Sequence, residues 1–294
     1  MSYTLPFQWG ARTYVMGIVN ATPDSFSGDG LGAGAEGDGL GGGAGADTDI
    51  ADIVDVVAAA VARARAFVAA GADMLDVGGE STRPGAPRVD AATELARVVP
   101  VVRAVAAAVP VPISIDTYKA EVAAAALAAG AHIVNDVTGL AADPDMAAVV
   151  ARAGVPVIVM NNRRGKAYEN LVPDAVADLA ARVVAAERAG IARARIIVDP
   201  GLGFDRVAAH DLALIDELGA FKVLGLPILL GPSRKRFIAN ILGDGTDDPA
   251  ADRLEGTAAA VAIGIARGAD IVRVHDVGPI VKVARVADAI VRRR

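Results

Sequence analysis

The feature that most constrains this chain is a repeated alternation of short apolar runs with Ala-rich stretches of helical character. The runs are apolar at successive positions, as expected for parallel strands that are buried on both faces. Such alternation predicts a parallel sheet covered by helices, and eight units predict closure into a barrel. The predicted strands are Tyr14–Val19, Met74–Val77, Ile113–Ile115, Ile133–Val137, Val157–Met160, Ile196–Val198, Ile228–Leu230 and Ile271–Val274.

Helices are predicted between these strands, and several are followed by a glycine that can adopt a left-handed cap. The predicted helices are Ile50–Ala70, Ala91–Ala108, Ala120–Ala129, Met146–Ala153, Asp174–Ala189, Ala208–Leu218, Gly256–Ala266 and Val281–Val291. The cap candidates are Gly71, Gly130, Gly154, Gly190 and Gly268. We therefore expect the α/β class, with one single-domain (β/α)8 TIM barrel over residues 1–294.

One segment does not fit this alternation. Residues 28–49 form a Gly-rich stretch with almost no large apolar residue. Such a stretch cannot bury enough surface to offset its ordering entropy, which predicts a flexible loop. Because it follows the first predicted strand, it is also placed to act as a mobile lid over a site at the strand ends.

Composition excludes several classes of function. The chain has no Cys among its 294 residues, which excludes disulfides, a Cys nucleophile and thiolate-bound metal. No apolar run reaches the roughly 18–20 residues of a membrane span, and the N-terminus lacks the pattern of a signal peptide. The net charge of −6 argues against nucleic acid as a partner. We expect a cytoplasmic protein with no membrane association.

Acidic and amide side chains occur where several predicted strands stop. Asp116, Asn135 and Asp199 each close a different strand, and Asn20 closes the first. A single such residue could equally cap the following helix, because Asp and Asn are good N-caps. Several on one rim of a barrel favour a shared ligand, since strand ends on that face build barrel active sites. Carboxylate acceptors together with an amide suit a planar heterocycle that carries N–H groups.

Basic side chains cluster near the last two predicted strands. Arg273 and His275 alternate along the final strand, so their side chains point the same way. Residues 233–235 read Ser-Arg-Lys and could open a helix whose N–H groups help to bind an anion. A phosphate clamp at this position is frequent in barrels. The alternative is that Arg273 pairs with a neighbouring acid, such as Asp270 or Asp276.

Two isolated histidines, His132 and His210, are expected to be structural, because the chain has no H-x-x-x-H pair or comparable metal-ligand spacing. A Gly-x-Ser-x-Gly nucleophile elbow is also absent. The sequence therefore offers no protein nucleophile of a familiar kind.

Further motifs follow one another in order along the chain. They span residues 16–27 (MGIVNATPDSFS), 76–86 (DVGGESTRPGA), 114–117 (SIDT), 134–139 (VNDVTG), 199–204 (DPGLGF), 231–237 (GPSRKRF), 255–257 (EGT) and 273–277 (RVHDV). Together they resemble the motifs of the dihydropteroate synthase family over nearly the whole chain. The resemblance implies a (β/α)8 barrel that condenses 4-aminobenzoate with (7,8-dihydropterin-6-yl)methyl diphosphate. The implied products are 7,8-dihydropteroate and pyrophosphate, in folate biosynthesis, and sulfonamides that mimic 4-aminobenzoate are the implied inhibitors.

The resemblance also implies roles for individual residues. The residues that match the pterin-holding positions are Asp116, Asn135, Asp199 and Lys235, with Phe204 lining the pocket. The residues that match the diphosphate site are Asn20, Arg273 and His275, with Mg²⁺ as cofactor near Asn20. The residues that match the 4-aminobenzoate region are Phe26, Thr82, Arg83, Pro84 and Ser233. The residues expected to act in catalysis are Asp116, Lys235, Arg273 and His275.

The family resemblance also implies a homodimer built through barrel helices, for which residues 176–189 and 256–266 are candidates. Asn161-Asn162 stands where many relatives carry Met-His, a difference expected to alter the pterin rim.

Two other functions compete with the synthase. A pterin-dependent methyltransferase barrel would share the Asp and Asn positions, but it has no need for a diphosphate clamp. A non-catalytic pterin-binding paralogue would be favoured by loss of Asp116, Lys235 or Arg273, and all three are present.

Overall fold

The computed structural model describes residues 3–21, 50–81, 87–163, 167–204, 207–243 and 253–292. The predicted flexible loop at 28–49 lies outside these residues. Within the described ranges, no helix combines the length and apolar character that crossing a lipid bilayer requires.

Eight parallel strands form the sheet, in the order β6-β5-β4-β3-β2-β1-β8-β7. The strands are β1 (Tyr14–Asn20), β2 (Met74–Gly78), β3 (Ile113–Asp116), β4 (Ile133–Asp136), β5 (Val157–Met160), β6 (Ile196–Asp199), β7 (Leu229–Leu230) and β8 (Ile271–Val274). A parallel bridge between Val198 and Ile228 joins β6 to β7, the two ends of this order. The predicted barrel is therefore confirmed.

Helices alternate with the strands on the outside of the barrel. They are α1 (Ile50–Ala69), α2 (Ala91–Ala108), α3 (Ala120–Ala129), α4 (Met146–Ala153), α5 (Leu171–Arg188), α6 (Ala208–Asp216), α7 (Arg236–Leu242), α8 (Leu254–Ala266) and α9 (Val277–Val291). Short 3₁₀ helices cover Arg193–Arg195 and Leu218–Leu224. All five predicted glycine caps have positive φ, so those helices end where expected.

Three helices begin earlier than predicted. The α5 helix starts at Leu171 rather than Asp174, α8 at Leu254 rather than Gly256, and α9 at Val277 rather than Val281. The α5 and α9 helices each include a proline in the first turn, Pro173 and Pro279. Proline is tolerated there because the first backbone N–H groups of a helix have no intrahelical acceptor.

The two ends of the barrel differ in polarity. Inside the barrel, an apolar cluster that includes Met16, Met74 and Ile158 is closed by aromatic side chains near the N-terminus. The rings of Phe7 and Tyr14 stack there with centroids 4.2 Å apart. Polar side chains instead collect at the carboxyl ends of the strands, which places the candidate site at that end.

Candidate functional site

The predicted acidic and amide residues meet at the carboxyl end of the barrel. Asp116 closes β3 and lies opposite Asn135 of β4 in the register, while Asp199 closes β6. All three side chains are buried, with Asp116 8% exposed. Because these strands are parallel and end at the same edge, residues far apart in sequence lie along one rim.

Arg273 of β8 reaches two of the neighbouring carboxylates. Its Nε donates to Asp76 Oδ2 over 2.6 Å, and its Nη2 donates to Asp116 Oδ2 over 2.7 Å. The alternative partners considered from the sequence are wrong. Asp270 accepts the backbone N–H of Ile228, and Asp276 pairs with Arg234.

Asp76 was not among the predicted site residues, although it begins the motif at residues 76–86. It lies in β2, is fully buried, and accepts Asn135 Nδ2 at 3.0 Å with the same Oδ2 that binds Arg273. The available signal was an Asp inside the apolar run Met74–Val77, in a strand predicted to be buried on both faces. A carboxylate in such a strand requires a partner, and the nearest candidates are polar groups of the barrel interior.

Burial and mutual charge shift the protonation of this cluster. Burial raises the pKa of Asp116 to about 7, Arg273 opposes that rise, and Asp76 adds to it. Burial lowers the pKa of Arg273, but Asp76 and Asp116 outweigh that effect, so the net shift is upward. One oxygen of each carboxylate, Oδ1 of Asp76 and Oδ1 of Asp116, has no hydrogen-bond partner among the described residues. Asp116 closes its strand and is the less buried of the two, so its Oδ1 suits an N–H group of a ligand.

Lys235 lies between β7 and α7 and contacts the loop that follows β6. Its Nζ donates to the carbonyl oxygen of Leu202 over 2.8 Å and lies 4.5 Å from the ring centroid of Phe204. Gly203 has a φ of +74°, and a Cβ there would lie 2.8 Å from Lys235 Cδ, so the close approach requires glycine. Burial lowers the pKa of Lys235 to about 8, and Asp199 opposes that change. The ammonium group of Lys235 therefore lies beside Phe204, the residue predicted to line the pterin pocket.

Ser233 makes two contacts with His275. Ser233 Oγ lies 3.0 Å from His275 Nδ1 and accepts the backbone N–H of His275 over 3.1 Å. When the hydroxyl donates its own proton to Nδ1, the imidazole carries its proton on Nε2. Nε2–H would then be a donor for an anion.

Asn20, the predicted metal ligand, closes β1 opposite Gly78. Gly78 in turn lies opposite Asp116, so the amide is in the same row as the carboxylate cluster. No group of three or more His, Cys, Asp or Glu side chains suited to a metal occurs among the residues that the structure describes. An amide oxygen fits Mg²⁺, which prefers oxygen ligands and commonly takes the others from substrate phosphates and water.

Four of the predicted residues lie outside the described residues: Phe26, Thr82, Arg83 and Pro84.

Asn161 directs its amide away from the strand ends, because Nδ2 donates to Ala175 O and Oδ1 accepts the hydroxyl of Tyr168.

The neighbouring Asn162 donates to Val137 O, so both amides are engaged with the protein. His132 accepts the backbone N–H of Ile113 through Nδ1, which is a structural contact as predicted.

Comparisons with known proteins agree on one family. The family described as pterin binding enzyme matches residues 46–275. The chain is 43% identical to a dihydropteroate synthase of Bacillus subtilis, over 96% of this chain and 90% of that protein. It is similar to a Clostridium difficile dihydropteroate synthase crystallised with pteroic acid, with a TM-score of 0.85, 40% identity, and coverage of 98% and 100% of the two chains.

A Xanthomonas albilineans dihydropteroate synthase with 4-aminobenzoic acid is also similar, with a TM-score of 0.82, 39% identity, and coverage of 95% and 93%.

Proposed function

The chain belongs to the dihydropteroate synthase family, and from that premise we propose that it joins 4-aminobenzoate to (7,8-dihydropterin-6-yl)methyl diphosphate. The products are 7,8-dihydropteroate and pyrophosphate, and the enzyme is a transferase of folate biosynthesis. The observation that carries this assignment is the contact of Arg273 with Asp116 at the carboxyl end of the barrel. It brings an anion-binding guanidinium next to acceptors suited to a heterocycle.

The pterin ring is recognised by the acidic and amide residues. Asp116 and Asp199 are acceptors for ring N–H and amino groups, and Asn135 supplies its free Oδ1. Lys235 supplies a donor, and Phe204 beside it supplies an apolar ring face. The two carboxylates and the amide come from three different strands of one sheet, so they are held in position before the ligand arrives.

The diphosphate leaves from the methylene carbon, and the basic residues stabilise that departure. Arg273 offers Nη1, which makes no hydrogen bond within the described part of the chain, and His275 offers Nε2–H. Donors aimed at the developing negative charge lower the barrier to breaking the C–O bond. Asp116 stabilises the positive charge that spreads into the pterin ring as that bond breaks.

The amine nitrogen of 4-aminobenzoate forms the new bond to the methylene carbon. Pyrophosphate leaves with the electron pair of the broken C–O bond, and the nitrogen then loses one proton. No protein nucleophile is required, in agreement with the lack of Cys. For the cofactor, Asn20 would hold Mg²⁺ together with substrate oxygens. The ion would supply further positive charge beside the diphosphate.

We also propose a cytoplasmic homodimer, as expected from the sequence. Large apolar side chains are exposed on three neighbouring helices: Leu212 on α6, Ile241 on α7 and Ile263 on α8. The α6 helix contacts both α7 and α8. Exposed apolar side chains on adjacent helices support an interface with a second copy of the chain.

Pyrophosphate release tests the proposed activity. Purified protein is given the pterin diphosphate and Mg²⁺, with and without 4-aminobenzoate. Release that depends on 4-aminobenzoate, accompanied by formation of dihydropteroate, is expected. Binding of the pterin without turnover would instead favour a non-catalytic paralogue. Methyl transfer from a methylated pterin would favour a methyltransferase.

A further inference from the structure

The carboxylate of Asp76 connects two parts of the site that bind different halves of one substrate. Its Oδ2 accepts Asn135 Nδ2 at 3.0 Å and Arg273 Nε at 2.6 Å. The side chain is fully buried, and its Oδ1 has no partner among the described residues. Asp76 therefore lies behind the residues that contact substrate, and it is held by them on one oxygen only.

An ionised carboxylate can only accept hydrogen bonds, and this property fixes the orientation of both neighbours. The amide of Asn135 must turn its NH2 group toward Asp76, which leaves Oδ1 for the ligand. The planar guanidinium of Arg273 is held by Nε, so only its terminal nitrogens remain for other acceptors. One of these, Nη2, contacts Asp116, and Nη1 remains for an anion.

We infer that Asp76 is a positioning residue that couples recognition of the pterin ring to binding of the diphosphate. The inference rests on the proposed function, because it assigns Asn135 to the pterin and Arg273 to the diphosphate. Asn135 and Arg273 donate to the same oxygen of Asp76, so they share one acceptor. A pterin N–H that binds Oδ1 of Asn135 makes the amide NH2 a stronger donor to Asp76, which leaves more of the charge of Arg273 for an anion. Each ligand therefore tightens the binding of the other.

The experiment measures binding without chemistry. The dissociation constant of inorganic pyrophosphate is measured by calorimetry in the presence of Mg²⁺, with and without saturating 6-hydroxymethyl-7,8-dihydropterin, which lacks the diphosphate. In the wild-type protein the pterin is expected to tighten pyrophosphate binding by about tenfold. Pyrophosphate must tighten pterin binding by the same factor, because linkage is reciprocal.

The variant Asp76→Asn removes the charge and the acceptor-only character with little change in shape. Its coupling factor is expected to fall to about twofold or less, since an amide no longer forces either neighbour into one orientation. The matched control is Ser114→Ala, because Ser114 is fully buried, lies opposite Asp76 on β3, and has no partner for Oγ among the described residues. Ser114→Ala is expected to keep the full coupling.

A role for Asp76 in stability alone would lower the melting temperature of Asp76→Asn and leave the coupling factor unchanged, which would overturn the inference. Independent binding of the two ligands to the wild-type protein would overturn it as well. If Asp76→Asn does not fold, Arg273→Lys serves instead. It keeps the charge but lacks Nε, so it too is expected to lose coupling.

These outcomes are separate from those of the turnover assay. A wild-type protein that shows coupling but no turnover would reject the proposed function and retain the role of Asp76. Turnover without coupling would do the reverse.

Discussion

Arg273 donates Nη2 to Oδ2 of Asp116 over 2.7 Å, although 157 positions separate the two residues in the chain. The contact joins β8 to β3 across the carboxyl end of the barrel. Because Arg273 also binds Asp76, one guanidinium stands between two buried carboxylates. Truncation of one member of such a group leaves buried charge uncompensated, so these residues are expected to affect both activity and stability.

Replacement of Arg273 tests the clamp. Arg273→Ala is expected to lower kcat/KM for the pterin diphosphate by about 100-fold to 1,000-fold, because the departing diphosphate loses a fixed cationic donor. The control is Arg267→Ala, since Arg267 is exposed and pairs with the exposed Asp216. Steady-state pyrophosphate release measures both variants. Equal activity of Arg273→Ala and Arg267→Ala would remove Arg273 from the mechanism.

Asp116 is expected to set the acidic limb of the pH profile. Burial raises its pKa to about 7, and the carboxylate is the form that accepts from the pterin. The value of kcat/KM for the pterin diphosphate should therefore rise with pH through about 7, since this quantity reports the free enzyme. Asp116→Asn should lower kcat/KM by about 100-fold and lack this limb. An unchanged limb in Asp116→Asn would assign it to another group.

The same pKa predicts a change in stability with pH. The folded-state pKa of Asp116, about 7, lies above the ordinary value of 3.8, so the folded protein holds more protons than the unfolded chain between these two pH values. The Asp116 contribution to the free energy of unfolding therefore declines as pH rises from about 4 to about 7. Denaturant unfolding of wild type and Asp116→Asn should show a difference that shifts in favour of the variant across this window. A constant difference would contradict the assignment.

Lys235 is expected to lower the free energy of unfolding and to strengthen pterin binding. Its pKa is lowered to about 8 by burial, from 10.5, so the unfolded chain holds more protons in that interval. Burial of the ammonium therefore destabilises the fold below about pH 8, and this effect fades towards pH 10.5. Lys235→Met should raise the free energy of unfolding at pH 7 by about 1 kcal/mol and weaken pterin binding. Lys282→Met, at an exposed position of α9, is the control and should change neither quantity.

Ser233 is expected to act through His275. Ser233→Ala removes the partner of Nδ1 and should lower kcat/KM by about fivefold, the rate equivalent of about 1 kcal/mol. Ser233→Thr keeps the hydroxyl and should restore most of the activity. If alanine and threonine at this position reduce kcat/KM equally, the hydroxyl has no part in orienting His275.

The proposed dimer can be tested at α8. Ile263→Glu places a charge on an exposed apolar position and should shift the protein from dimer to monomer in sedimentation velocity at micromolar concentration. Val286→Glu, on the exposed face of α9, is the matched control. A wild-type protein that sediments as a monomer would reject the dimer itself.

The strand–helix order of the fold was readable from the sequence. Short strands that are apolar on both faces are a local pattern, and the glycines that end the helices are local signals. The starts of α5, α8 and α9 and several other element ends differ by a few residues from those predicted, and α7 was not among the predicted helices. The positions of Asp116, Asn135 and Asp199 at one end also follow from the sequence, because parallel strands of a barrel end on the same face.

The tertiary structure alone decided which of these side chains are partners. Closure of the barrel between β6 and β7, together with the strand register, places Arg273 on Asp76 and Asp116 instead of on Asp270 or Asp276 beside it in sequence. Local spacing favours a neighbouring acid, but side chains on a strand alternate between two faces, and nearness in sequence does not ensure a shared face. Pairing across the barrel depends on eight strands at once, so no single stretch of sequence encodes it.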